Sequence, residues 1–265
     1  MSSTLVSTPT APARTSATGR GIVIPQLGLG RILGTWAAAA LPMAALAWIV
    51  APWLADRLSG PAPLGQALLI ALTAGLVWQG ALVAGLVAAE QRTLRFSVVR
   101  EALWLQRPTS PRTGRKGGRL WLLTIPLILA FGMAHELPTP AHPAGRDLAM
   151  VLDTPAGEAL FHGGWGWYAL VLAMGVFNTV LGEELLFRGY LLPRMQGVFG
   201  RADWLANGAL FALYHLHVPW AMPSAAIDAF LLAYPSRRYR SAWFGIIVHS
   251  SQTLVVSLIV LTYVL

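Results

Sequence analysis

Apolar residues run along this chain in long blocks separated by short polar or basic stretches. The blocks span Trp36 to Ala55, Leu64 to Ala89, Leu120 to Ala134, Trp167 to Leu192, Trp204 to Ala221, Met222 to Tyr234 and Ala242 to Leu265. A hydrocarbon core takes roughly 20 residues of helix to cross, and most of these blocks are that long. Leu120 to Ala134 and Met222 to Tyr234 are shorter and suit tilted or re-entrant helices covered by their neighbours. The pattern predicts an all-α, polytopic membrane helix bundle of about seven transmembrane helices, one or two of them short or re-entrant. Trp36, Trp53, Trp121, Trp165, Trp167, Trp204, Trp220 and Trp243 fall at block edges, where an amphipathic ring favours the interface.

Composition points the same way, with 55% apolar and only 11% charged residues where soluble domains carry about a quarter charged. The first 30 residues, rich in Ser, Thr, Pro and Ala, read as a disordered cytoplasmic tail, with residues 31–265 forming the membrane domain. Thr109 to Gly118, with its Pro and Gly turns and basic residues, reads as a loop. Cysteine is absent, which excludes disulfides and thiolate metal sites.

Charge sets the expected orientation. With the N-terminus inside and seven alternating helices, all 19 Lys and Arg except Arg57 and Arg146 fall on the inner side, while the outer loop from His135 to Gly166 carries Glu136, Asp147, Asp153 and Glu158. That asymmetry obeys the positive-inside rule and predicts a cytoplasmic (inner) membrane protein with its C-terminus outside. The net charge of +8 then reflects topology, and no nucleic-acid partner is expected. The Arg92 to Arg119 loop is placed to touch anionic headgroups.

Polar residues inside the blocks are the candidate chemistry, because a charge taken out of water costs several kcal/mol unless it is compensated. Glu183 and Glu184 close the fourth block. Glu184 and Arg188 are four apart and face each other on a helix, so the pair can neutralise itself. Glu183 points about 100° away, and an uncompensated carboxylate in poorly solvated surroundings suits a general base acting on water. The bland alternative is a charged cluster anchoring a helix end. Asn207, Phe211 and His215 share one stripe, while His217 points elsewhere. His215 alone also suits an interhelical hydrogen bond. His249-Ser-Ser-Gln-Thr253 places five polar residues in the last span, with Gln252 and Thr253 returning to the histidine's side, so they must face a cavity, a partner helix or water. At ~1.5 Å per residue, His249 lies roughly 12 Å inward from Ser241, and Glu183 lies within one or two turns of the inner surface.

Glu-Glu-x-x-x-Arg at 183–188, Phe-x-x-x-His at 211–215 and a histidine-led motif from His249, in that order on separate helices, resemble the CPBP family of intramembrane proteases, the CAAX prenyl proteases and bacteriocin-processing enzymes. The resemblance covers roughly Gly166 to Ser257, the expected core at 166–257. It implies an endopeptidase, glutamic or metallo in type, acting on a membrane-associated peptide or protein. It places water activation on Glu183, support on Glu184 and Arg188, and the histidines on His215 and His249, with Phe211 beside them. The family usually has Asn four residues after the last histidine, as an oxyanion donor. Thr253 stands there, with Gln252 as the nearest amide. The resemblance leaves the cofactor open between none and zinc, for which Glu183, His215 and His249 would be the ligands. Alternatives from other classes are a non-catalytic immunity or scaffold protein of the same fold and, without inverted repeats to support it, a small-solute transporter.

Overall fold

The structure, a computed structural model, describes residues 22–138 and 140–265. Of the tail expected over 1–30, residues 1–21 lie outside the described residues. Residues 22–28 run extended, and the Leu27 amide donates to the Arg194 carbonyl at 2.9 Å. Gln26 completes this seam by donating to Pro193 O at 3.0 Å and accepting from the Gly197 amide at 2.9 Å.

Every regular element is helical, and among the described residues five helices are long and apolar enough to cross a membrane. They are α1 (Leu29–Ala55), α2 (Pro63–Gln91), α4 (Gly118–His135), α7 (Trp165–Arg194) and α10 (Trp243–Val264). Shorter helices lie between them: α3 (Phe96–Ala102), α5 (Leu148–Leu152), α6 (Pro155–Phe161), α8 (Asp203–Tyr214) and α9 (residues 222–239). The bundle is the expected one, and among the described residues five of the about seven expected helices, one or two of which were expected to be short or re-entrant, have the length and apolarity of a span. The blocks Trp204 to Ala221 and Met222 to Tyr234 form a helical hairpin, α8 and α9. Asp203 at its start is paired with Arg237 near its end, so the chain enters and returns on one side. Large apolar side chains such as Ile49, Leu129, Met133 and Leu254 stand exposed around the outside, as lipid contact requires.

Helix packing relies on small residues, because close backbone approach replaces the hydrophobic drive that lipid removes. A Cβ on Gly182 of α7 would press on Leu76 O of α2, and one on Gly80 of α2 on Leu181 O of α7, at 3.2 and 3.3 Å. This reciprocal contact lies immediately before the two glutamates. In the hairpin, Gly208 admits Ala229, where any Cβ would collide.

Tryptophans do more than mark edges. Trp36 and Trp48 of α1 donate to Leu210 O and Leu216 O, each at 2.8 Å, holding the hairpin against the first span. Trp220 at the hairpin tip is buried beneath the His142 ring at 4.8 Å. At the end of α7, Arg194 is fully buried and bonds both Glu90 oxygens, at 2.6 and 2.8 Å, tying α2 to α7.

Candidate active site

The backbone of α7 widens twice near its end, into π turns at Phe177–Gly182 and Leu185–Leu191. Between them sit Glu183 and Glu184, 3% and 0% exposed. Their surroundings differ sharply. Glu184 lies between two basic groups, with Arg188 Nη1 3.1 Å from Oε1 and the His249 Nδ1–H donating to the same oxygen at 3.1 Å. Its other oxygen has no hydrogen-bond partner among the described residues.

Glu183 is held by neutral groups. The Asn178 amide, with its nitrogen turned to the carboxylate, reaches the two Glu183 oxygens at 2.9 and 3.2 Å. The Tyr214 hydroxyl, which accepts from Gln79 of α2 at 2.6 Å, lies beside the Glu183 carboxylate. The His249 ring acts on it electrostatically from α10.

Arg188 is buried without a full set of bonds. Its guanidinium stacks on the Phe211 ring at 4.0 Å, and such cation–π contact is strongest where water is excluded. None of its three nitrogens has a hydrogen-bond partner among the described residues, since the contact to Glu184 has ion-pair distance without hydrogen-bond geometry. Phe211 also edges against His215 at 4.9 Å and His249 at 6.2 Å, so one aromatic ring joins the three motifs.

The stripe expected on α8 forms. Asn207 is buried and donates to Phe187 O at 2.9 Å, and His215 donates Nδ1–H to Phe211 O at 2.8 Å. The helix stops at Tyr214, however, and a 3₁₀ turn over His215–His217 keeps the rings of His215 and His217 stacked at 5.5 Å. His217 therefore lies buried beside His215 instead of pointing away.

In α10, Gly245 is the residue that lets Glu184 in, because a Cβ there would collide with Glu184 Oε2. The polar run behind His249 faces a partner helix: Ser250 bonds Thr179 at 2.9 Å and Thr253 packs over Gly175, both on α7. Gln252 is half-buried and has no hydrogen bond among the described residues.

A zinc ion would need Glu183, His215 and His249 to converge on one point. His215 and His249 each engage Nδ1 with an oxygen acceptor and leave Nε2 free, the pattern of metal-binding histidines. Even so, among the described residues no three His, Asp or Glu side chains lie close enough together to hold one ion. Glu183, His215 and His249 as folded do not form a metal site.

Asn178, Tyr214, Gln79, His135 and Asp228 take part in or border this cluster, and the motifs did not flag them. Gln79, Asn178 and Asp228 carried a usable signal, since each is a polar residue inside an apolar block. The partner of Asn178 could not be read, because its link to Glu183 exists only in a π turn.

These features define an all-helical integral membrane protein with a buried cluster of carboxylates, histidines and one arginine. Residues 164–255, about a third of the chain, match the family model described as type II CAAX prenyl endopeptidase Rce1-like, in agreement with the resemblance drawn from the motifs. No curated protein and no solved structure matches the chain.

Proposed function

We propose that this protein is an intramembrane endopeptidase that hydrolyses a peptide bond in or beside the membrane, with prenylated CAAX-type substrates as the class to test first. The observation carrying this reading is the unequal treatment of two adjacent glutamates. Glu184 is paired directly with Arg188 and His249, while Glu183 has no direct ion pair and is met by the neutral amide of Asn178 and the neighbouring hydroxyl of Tyr214, with His249 acting on it at longer range.

A carboxylate with neutral partners can take a proton from water, which a carboxylate locked in an ion pair does poorly. Glu183 accordingly accepts a proton as the water oxygen attacks the carbonyl carbon, then delivers it to the departing nitrogen. His249, its Nδ1–H held by the Glu184 carboxylate that favours the doubly protonated ring, presents an Nε2–H toward the developing oxyanion, while His215, its Nδ1–H held by Phe211 O, keeps a bare Nε2 that accepts a hydrogen bond from the attacking water. A donor such as His249 is effective because it is in place before charge develops.

The test is purified protein in liposomes with a prenylated CAAX peptide. Glu183→Gln keeps the shape and removes the base, and cleavage is expected to drop by roughly 10²–10⁴-fold. Unchanged cleavage by this variant would falsify the assignment.

A second reading has one observation in its favour. Thr253, at the place of the usual oxyanion Asn, is turned onto Gly175 and packs there. A non-cleaving immunity or scaffold protein would bind its partner equally well with and without Glu183, and cell protection by Glu183→Gln at wild-type level is its expected signature.

A further inference from the structure

Two ionisable residues outside the three motifs meet beside the site. His135 ends α4, and Asp228 lies in α9 at 2% exposure, deeper than most carboxylates in proteins are found. The His135 Nδ1–H donates to Phe131 O at 3.0 Å, which turns Nε2 toward Asp228 Oδ2 at 4.0 Å. The other oxygen, Oδ1, is buried and has no hydrogen-bond partner among the described residues. An acceptor left in that state costs its full desolvation unless a donor arrives.

The pair is one ring away from the cluster. Phe131 lies 4.2 Å from the His135 ring and 5.7 Å from the His249 ring. The charged groups that act on Asp228 are His249 of α10 and Arg188, Glu184 and Glu183 of α7, with His135 on α4 as its ion-pair partner. The site thus holds three buried carboxylates against one permanent cation, and the unpaired donors of Arg188 and acceptors of Asp228 and Glu184 are the complement of a peptide group, which brings one N–H and one C=O.

Peptide hydrolysis also needs a partner on the nitrogen side. The water oxygen bonds to the carbonyl carbon, its proton passes through Glu183 to the nitrogen, the C–N bond breaks, and the second water proton follows to give a carboxylate and an ammonium. Base and oxyanion donor serve the first half of that sequence, and nothing in the three motifs receives the amine.

We infer that Asp228, oriented by His135, is a further catalytic residue of this protein: its free Oδ1 accepts the scissile N–H and pairs with the ammonium as the amine leaves. The inference rests on the endopeptidase reading.

Asp228→Asn, Asp228→Glu and His135→Gln are compared with wild type on the prenylated CAAX peptide in liposomes, with kcat and KM read separately and folding followed by thermal unfolding. Asp228→Asn is expected to lower kcat by roughly 10- to 100-fold, the worth of a hydrogen bond to a charged group, while KM stays within about threefold. Asp228→Glu is expected to restore part of kcat, and His135→Gln to lower it less than Asp228→Asn does. A purely structural role would instead lower the unfolding temperature of Asp228→Asn without separating kcat from KM. Wild-type cleavage with kcat unimpaired in both Asp228→Asn and His135→Gln overturns this inference alone. Should Asp228→Asn fail to fold, His135→Gln decides, with unchanged kcat again overturning it. A wild-type protein that leaves the peptide intact overturns the endopeptidase reading and this inference with it.

Discussion

Glu183 and Glu184 are chemically identical neighbours, and everything that separates them is supplied by other parts of the chain. Arg188 and His249 converge on Glu184, and Gly245 makes that convergence sterically feasible by leaving the space its own Cβ would fill. The i,i+4 spacing made the Glu184–Arg188 pair readable in advance, whereas the His249 contact joins residues 65 positions apart. At this scale the sharpest prediction concerns Gly245→Ala. The added methyl must push the Glu184 carboxylate aside, a crowding that costs about 1–3 kcal/mol, and it removes the acceptor that orients His249. Turnover is expected to fall roughly tenfold or more, the worth of that charged hydrogen bond, in protein that still purifies as a single species. Wild-type turnover in Gly245→Ala would show that the orientation of His249 does not depend on Glu184.

Elements decide which residues share a face, and here the regular α-helix is the wrong ruler. Residues five apart on an α-helix point about 140° from each other, so Asn178 and Glu183 look unrelated in the sequence. In the π turn Phe177–Gly182 the Glu183 amide bonds back to Asn178 O, and the widened turn swings the Asn178 side chain onto the carboxylate. Such π bulges often sit at functional sites. Asn178→Leu is therefore expected to reduce kcat by roughly tenfold through loss of the amide contact, with little change in substrate affinity, and steady-state kinetics on the peptide will separate the two. The hairpin of α8 and α9 is the second element the pattern misjudged. Apolar content marked its helices, but the break at Tyr214, which stacks His215 on His217, follows from packing of the tip against Trp48 and His142.

At the scale of the whole molecule, five spans and seven give the same sidedness, because the hairpin begins and ends on one side and changes the count by two. The charge pattern thus keeps its force: the basic segment around residues 106–119, docked by the Thr109 amide on Tyr239 O at 2.9 Å, lies at the same end as Arg237, Arg238 and Arg240. We expect that end to be cytosolic. The absence of cysteine makes the test direct. In intact cells a membrane-impermeant maleimide should label Ala144→Cys, in the loop after α4, and should reach Thr113→Cys only after permeabilisation. The reverse result would invert the topology.

Hydrophobic blocks, charge bias and three short motifs are local properties, and they were enough to specify a helical membrane bundle, its expected sidedness and the residues Glu183, Glu184, Arg188, His215 and His249 as one candidate site. That His249 joins Arg188 on Glu184, how Asn178, Tyr214 and Gln79 surround Glu183, where Thr253 turns, and that His135 and Asp228 border the cluster were settled only in three dimensions. Each depends on side chains from different helices meeting at close-packed glycines or across a π turn, and neither composition nor a fixed 3.6-residue period carries that information.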